Sequence, residues 1–225
     1  KTTVLGWLLT TIPNNKRIYT IENGSRELDL TRFEEGKVVN SVIHTITRDS
    51  ENEKQKVDQI MLLDMALRFN PDIAVVGEMR GAEANAAQEA ARTGIAVLTT
   101  IHANSCEATY RRMVSLCKRA VDMSDETLMG YVTEAYPIIV FCKQLENKQR
   151  RMMEIMECEI MPDGTRNYRT LFQYVITDNH MDENGKFVID GHHERKNSIS
   201  NSLAKRLLEN GMPLEMIENM KVKEE

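Results

Sequence analysis

The sequence predicts an α/β protein: a mostly parallel sheet between two layers of helix, followed by a β-rich extension and a closing helix. Three observations carry this. Four short apolar runs rich in β-branched residues, RIYTIE, DIAVVG, IAVLTTIH and YPIIVFC, read as strands buried on both faces of a parallel sheet. Helix-patterned segments separate them, and such alternation is the signature of a three-layer α/β domain. After about residue 145 the texture changes to strand-like runs broken by tight turns, with no Gly/Ser linker between the two parts.

Each element has its own local reason. KTTVLGWLL opens as a helix, with Val4, Leu5 and Leu8 spaced to pack on a sheet. RIYTIE is the first strand. VDQIMLLDMALRF sets Val57, Ile60, Met61, Leu63 and Leu67 on one broad arc of a helix that Pro71 ends. DIAVVG is the next strand, and AEANAAQEAAR is dense in good helix formers. IAVLTTIH follows, and then Tyr110, Met113, Val114 and Cys117 recur at helical spacing. YPIIVFC completes the expected core. Beyond it, RRMMEIMECEI and RNYRTLFQYVI flank Pro162-Asp163-Gly164, strong turn chemistry for an antiparallel pair, and a second turn stands at DENGK. SISNSLAKRLLENG starts with candidate Ser caps and stops at Gly211-Met212-Pro213, the closing helix. The expected organisation is a core over residues 1–145 and an extension of the same domain over 146–225.

Composition narrows the function classes. The 225 residues are 41% hydrophobic and 28% charged, ordinary globular values, with a net charge of -5 that argues against nucleic-acid binding through bulk charge. No apolar run approaches the ~20 residues that span a bilayer, so membrane contact is expected to be peripheral. Cys106, Cys117, Cys142 and Cys158 contain no C-x-x-C and fit free thiols in a reducing compartment.

Polar groups collect at strand ends. In NPDIAVVGEMRGAEA an apolar strand ends in Gly77-Glu78, at the carboxyl edge where α/β sheets bind ligands. A carboxylate there can orient or deprotonate a water beside a γ-phosphate, or it can be a solvated turn residue; this segment alone does not choose. TGIAVLTTIHANS adds His102 at the same edge, with Thr100, Asn104 and Ser105 able to hydrogen-bond a phosphate. RIYTIENGSREL brings Glu22 there as well. Three strand ends carrying Glu22, Glu78 and His102 say more together than separately.

These blocks resemble the motor ATPases of type II and type IV secretion and of pilus assembly, nearest to the branch serving Flp/Tad pili and conjugation. TIENGSREL resembles the family's aspartate box, LRFNPDIAVVGEMRGAEA its atypical Walker B segment and TGIAVLTTIHANS its histidine box, in the same order and spacing. EIMPDGTRNYRTLFQYV is similar to the hairpin that follows the family's core. The resemblance implies a RecA-like P-loop NTPase core that binds ATP and Mg2+ and hydrolyses ATP to drive a ring, a homohexamer working with an inner-membrane platform protein and without direct nucleic-acid contact. It places the chain in the cytoplasm, peripheral to the inner face of the membrane. Glu78 becomes the water-activating carboxylate, Glu22 the acid near metal and γ-phosphate, and His102 the γ-phosphate sensor. Arg68 and Arg80 match family arginines with structural or intersubunit roles.

Lys1-Thr2-Thr3 resembles the last positions of a Walker A loop, in which the Lys reaches the β/γ-phosphates and the Thr hydroxyl ligates magnesium. The loop's glycines would lie upstream of Lys1, so a longer parent chain and poor ATP binding by these residues alone are expected. Asn23 stands where the family usually has Asp, Ile95 where it often has His, and Asn70 replaces a common arginine. Asn23, Ile95 and the missing glycines support a second reading, a catalytically impaired ring or scaffold subunit; a third is a RecA-like nucleic-acid translocase, which polynucleotide-stimulated hydrolysis would reveal and which the acidic balance does not favour.

Overall fold

A computed structural model describes residues 1–221. Helix α1 (Thr2–Thr10) turns Leu5 and Leu9 inward, while Leu8 is 36% exposed. Strand β1 (Arg17–Glu22) is buried from Ile18 onward, as RIYTIE predicts. A small hairpin, β2 (Phe33–Glu34) with β3 (Lys37–Val38), leads to β4 (Ser41–Ile46). No apolar run marks β4 in the sequence, because it is a half-buried edge strand interrupted by His44. Strands β5 (Ile73–Val76) and β6 (Ala96–Thr99) complete a four-stranded parallel sheet in the order β4-β1-β5-β6.

Alternation along the strands gives this sheet two covered faces. Ile18 and Val75 pack with Leu5, Leu9, Leu28 and Leu30 on the α1 side. Tyr19 points the other way, its ring centroid 5.8 Å from that of Phe69 in α2 (Gln59–Phe69). Helix α3 (Glu83–Arg92) packs on α2 and β6, giving the three layers expected. Asp58 caps α2 by accepting from the Met61 N–H at 2.9 Å, and Asn70 ends it in the left-handed conformation at φ 46°.

The inward face of α2 differs from the expected arc. Leu62, Leu63 and Ala66 are buried, whereas Ile60, Met61 and Leu67 are 37%, 50% and 46% exposed. Apolar residues surround this helix on nearly every side, so their spacing does not single out the inward stripe. The next helix, α4 (Cys106–Cys117), buries Tyr110, Met113, Val114 and Cys117 as predicted, and α5 (Asp125–Ala135) starts from a Ser124 cap.

YPIIVFC is a correction. Its strand, β7 (Ile138–Gln144), belongs not to the parallel sheet but to an antiparallel one with β8 (Arg150–Ile160), β9 (Arg166–Met181) and β10 (Phe187–Arg195), in the order β10-β9-β8-β7. Its residues are half-buried, not enclosed on both faces. A tight turn follows β7 directly, with Leu145 N–H donating to Gln149 O at 2.8 Å, so a local antiparallel partner is at hand where a parallel one needs a crossover. Gly164 at φ 84° and Gly185 at φ 71° supply the left-handed positions of the two predicted turns. Helix α6 (Asn201–Glu209) starts where the Ser200 hydroxyl accepts from Leu203 N–H at 3.0 Å, and α7 (Leu214–Met220) buries Ile217.

The chain forms two compact units, one of Lys1–Asn104 and Ala108–Tyr136, the other of Ser105–Glu107 and the residues from Pro137 onward. All four cysteines are free thiols; burial pushes Cys106 up and Cys117 to about 11, so both stay protonated and inert. Among the described residues, no helix is long and apolar enough to cross a membrane.

Candidate functional site

From β1 the chain moves to one side of the sheet for β4, then to the other for β5 and β6. The order therefore reverses between β1 and β5, and a crevice opens beyond the carboxyl ends of strands at such a switch point. Glu22 ends β1, Gly77-Glu78 follow β5, and Thr100 to His102 follow β6. Backbone bonds lock these ends together: Gly77 N–H donates to Ile21 O at 2.9 Å and Met79 N–H to Thr100 O at 2.9 Å, while the Thr100 hydroxyl donates to Gly77 O at 2.8 Å.

A cavity of about 160 Å³ lies there, lined by Thr2, Glu22, Asn23, Gln59, Glu78 and Arg80 among others. Glu22 is only 4% exposed. Its Oε1 accepts the backbone N–H groups of Glu27 at 2.7 Å and Leu28 at 3.0 Å, which fixes the loop after β1. Its Oε2 is buried without a hydrogen-bond partner. A buried carboxylate oxygen left so costs desolvation free energy on the order of 1–3 kcal/mol or more, a cost that a cation would remove. Asn23 does not share this role, because its Oδ1 accepts the Thr47 hydroxyl at 2.6 Å.

Glu78 sits among basic side chains. Arg80 Nη2 donates to its Oε2 at 2.6 Å, and His102 Nε2 stands 3.1 Å from its Oε1, an approach without hydrogen-bond alignment. The Arg80 guanidinium holds the Glu78 carboxyl below its usual range against the opposing effect of burial, with Lys1 and His102 adding to the depression. Lys1 Nζ donates to Ile101 O at 2.9 Å, next to His102.

The structure thus brings Thr2, Glu22, Glu78 and Arg80 to one cavity, and joins Lys1 and His102 to it through Ile101 and Glu78. Thr3 is exposed and does not line it; Arg68 is exposed in the last turn of α2 and makes no hydrogen bond or ion pair among the described residues. Gln59 is a lining residue that sequence reasoning missed, with its side-chain amide donating to Glu78 O at 3.2 Å. The available signal was its place directly after the Asp58 cap, at the start of a helix leading back into the sheet. A neighbouring cavity of about 210 Å³ shares Asn23 and Gln59 and includes Asp58 and Glu83. Asp58 is committed to capping α2, and Glu83 Oε1 accepts the N–H groups of Arg80 and Gly81 at 2.6 and 2.7 Å.

Known proteins are similar to this chain. The type II/IV secretion system protein family matches residues 1–218. The type IV secretion system protein VirB11 of Bartonella quintana is 30% identical over 152 residues, 66% of this chain and 40% of that protein. The type IV pilus assembly ATPase PilB of Pseudomonas aeruginosa is 30% identical over 118 residues, 49% of this chain and 20% of PilB. The VirB11 ATPase of Brucella suis, crystallised with sulphate, superposes with a TM-score of 0.57 at 23% identity over 69% of this chain and 44% of its own, a likeness that shows the RecA-like fold. The chain spans about two fifths of the length of these VirB11 proteins and one fifth of PilB. Because the family match runs from the strand-end acids through the antiparallel sheet to the closing helices, the chain belongs to the type II/IV secretion system protein family.

Proposed function

We propose that this chain is the catalytic part of a ring motor that hydrolyses ATP to power pilus assembly or protein or conjugative secretion. The observation that carries this is the half-satisfied Glu22, whose buried, unpartnered Oε2 shares one cavity with Thr2 and Glu78 at the switch point of a parallel sheet.

Lys1 and Thr2 bind the phosphates of ATP, Lys1 as the cation and Thr2 through its hydroxyl, while Thr3, expected beside them, lies outside the cavity. Glu22 Oε2 and the Thr2 hydroxyl fit a hard divalent cation, whose preferred donors are oxygens, and would hold Mg2+. A cation held there by Glu22 and Thr2 would supply positive charge against that of the phosphates. Glu78 orients the attacking water and takes its proton; His102, beside the same carboxylate, senses the γ-phosphate. Arg68, exposed on α2, is left for contacts between identical subunits of a hexamer. The motor works in the cytoplasm, at the inner face of the membrane, against an inner-membrane platform protein. The unit with the parallel sheet acts as the core and the unit with the antiparallel sheet as its extension.

The test is steady-state ATP hydrolysis by the full-length protein and its Glu78→Gln variant. Removing a general base costs about 10²- to 10⁴-fold. Equal rates in the two proteins would sink the catalytic reading in favour of a scaffold subunit.

A further inference from the structure

The pair Glu78–Arg80 raises a question that a solvent-facing turn would not. A carboxylate that must accept a proton from water is gripped at Oε2 by a guanidinium 2.6 Å away and approached at Oε1 by His102 Nε2 at 3.1 Å. Oε2 is bonded and Oε1 is only approached, and the bond weakens the base: Arg80 is the main cause of the lowered Glu78 carboxyl.

The two partners differ in freedom. The backbone around Arg80 is fixed on every side: Met79 is 1% exposed and its N–H is bonded to Thr100 O, Arg80 N–H donates to Glu83 Oε1, and Arg80 O accepts from Arg119 Nη1 at 3.0 Å. The Arg80 side chain is 71% exposed, against 24% for Glu78. It can therefore swing from an anchored Cα without moving the strand end. It also lines the cavity that holds Thr2 and Glu22, so an anion bound at Thr2 comes within its range. Guanidinium prefers a terminal phosphate, with its greater charge and bidentate geometry, to a single-bond contact with a carboxylate.

We propose that Arg80 is a positioning residue that clamps Glu78 until a nucleoside triphosphate arrives, then exchanges the carboxylate for the γ-phosphate and frees Glu78 to engage water. This rests on the reading of Glu78 as the base. The exchange makes release of the base conditional on a γ-phosphate, so ADP, which has none, leaves the clamp closed. Among the described residues, the titratable and charged groups facing Glu78 are Arg80, His102 and Lys1, with Glu22 in the same cavity. Of these, Arg80 is both hydrogen-bonded to the carboxylate and free to leave.

The experiment compares the full-length protein with its Arg80→Ala and Arg80→Lys variants by two readouts. One is the pH profile of kcat/KM, whose acid limb reports the base in the free enzyme. The other is the ratio of equilibrium affinities for a non-hydrolysable ATP analogue and for ADP. Arg80→Ala is expected to move the acid limb to higher pH, because Glu78 loses the cation that lowers it. It is also expected to cut the preference for the triphosphate by roughly tenfold, the loss of one charge-assisted hydrogen bond. Arg80→Lys keeps the charge without the fork and is expected to fall between. An unmoved acid limb overturns the clamp, and an unmoved affinity ratio overturns the exchange. Either result beside an inactive Glu78→Gln variant removes this proposal alone, whereas an active Glu78→Gln variant removes the reading beneath it. Thermal melting of each variant checks that the exposed substitution leaves the fold intact.

Discussion

Two buried glutamates, one in each unit, are almost equally hidden and quite differently used. Glu157, on β8, is 1% exposed, and both its oxygens are engaged by Ser200, Oε1 by the hydroxyl and Oε2 by the backbone N–H at 2.9 Å. It is a structural fastener, holding in place the residue that caps α6. Glu22, on β1, is 4% exposed, with one oxygen satisfied by two backbone N–H groups and the other by nothing. Burial alone therefore does not tell a structural acid from a functional one. The count of unsatisfied atoms does, because a fold tolerates an orphaned carboxylate oxygen only where something else needs it.

The contrast breaks most visibly at Glu157. Replacing it by Ala strands the Ser200 N–H in a buried setting, leaves the Ser200 hydroxyl only Ser202 Oγ at 2.8 Å to donate to, and removes two hydrogen bonds to a charged group, a loss of about 2–4 kcal/mol. Urea unfolding should show a lower midpoint in Glu157→Ala with little change in slope. The same cut at Glu22 can be made more finely. Glu22→Gln keeps a carbonyl oxygen for Glu27 and Leu28 while removing the buried charge, so stability should shift by less than about 1 kcal/mol in either direction. What should disappear is the stimulation of ATP hydrolysis by magnesium, by roughly a hundredfold at fixed nucleotide. A Glu22→Gln protein that unfolds as readily as Glu157→Ala, with its magnesium response intact, would reverse the assignment of the two acids.

Much of the site was legible in the sequence because strand ends are written in local chemistry. An apolar run that stops at Glu22, at Gly77-Glu78 or shortly before His102 puts those groups at one edge of any parallel sheet. What the sequence does not state is which oxygen of Glu22 is spent on the loop, or that Arg80 turns back onto Glu78 and not outward. Those outcomes depend on distances between elements far apart in the chain. The same limit explains the misread elements. YPIIVFC has the composition of a core strand, but its partner is decided by the short turn after it. The inward face of α2 is hidden by an excess of apolar residues, and β4 by a shortage.

The smallest expected effect tests whether the Glu78–Arg80 contact is an ion pair at all. Glu78 has its carboxyl lowered in the folded protein, mainly by the hydrogen bond from Arg80. A group whose folded value is depressed contributes stability above its unfolded value, and that contribution is lost as pH falls through the folded value. The window is therefore acidic, starting near the ordinary glutamate value of 4.5 and running downward. At neutral pH the full-length protein should be slightly more resistant to urea than its Arg80→Ala variant. The difference should be small because Arg80 is largely exposed and the pair is screened by solvent, and it should shrink further at 1 M salt. It should close as the pH is lowered and Glu78 takes up its proton. A difference that persists unchanged into acid, or that ignores salt, would mean that Arg80 supports the turn by packing and leaves the charge of Glu78 unaltered.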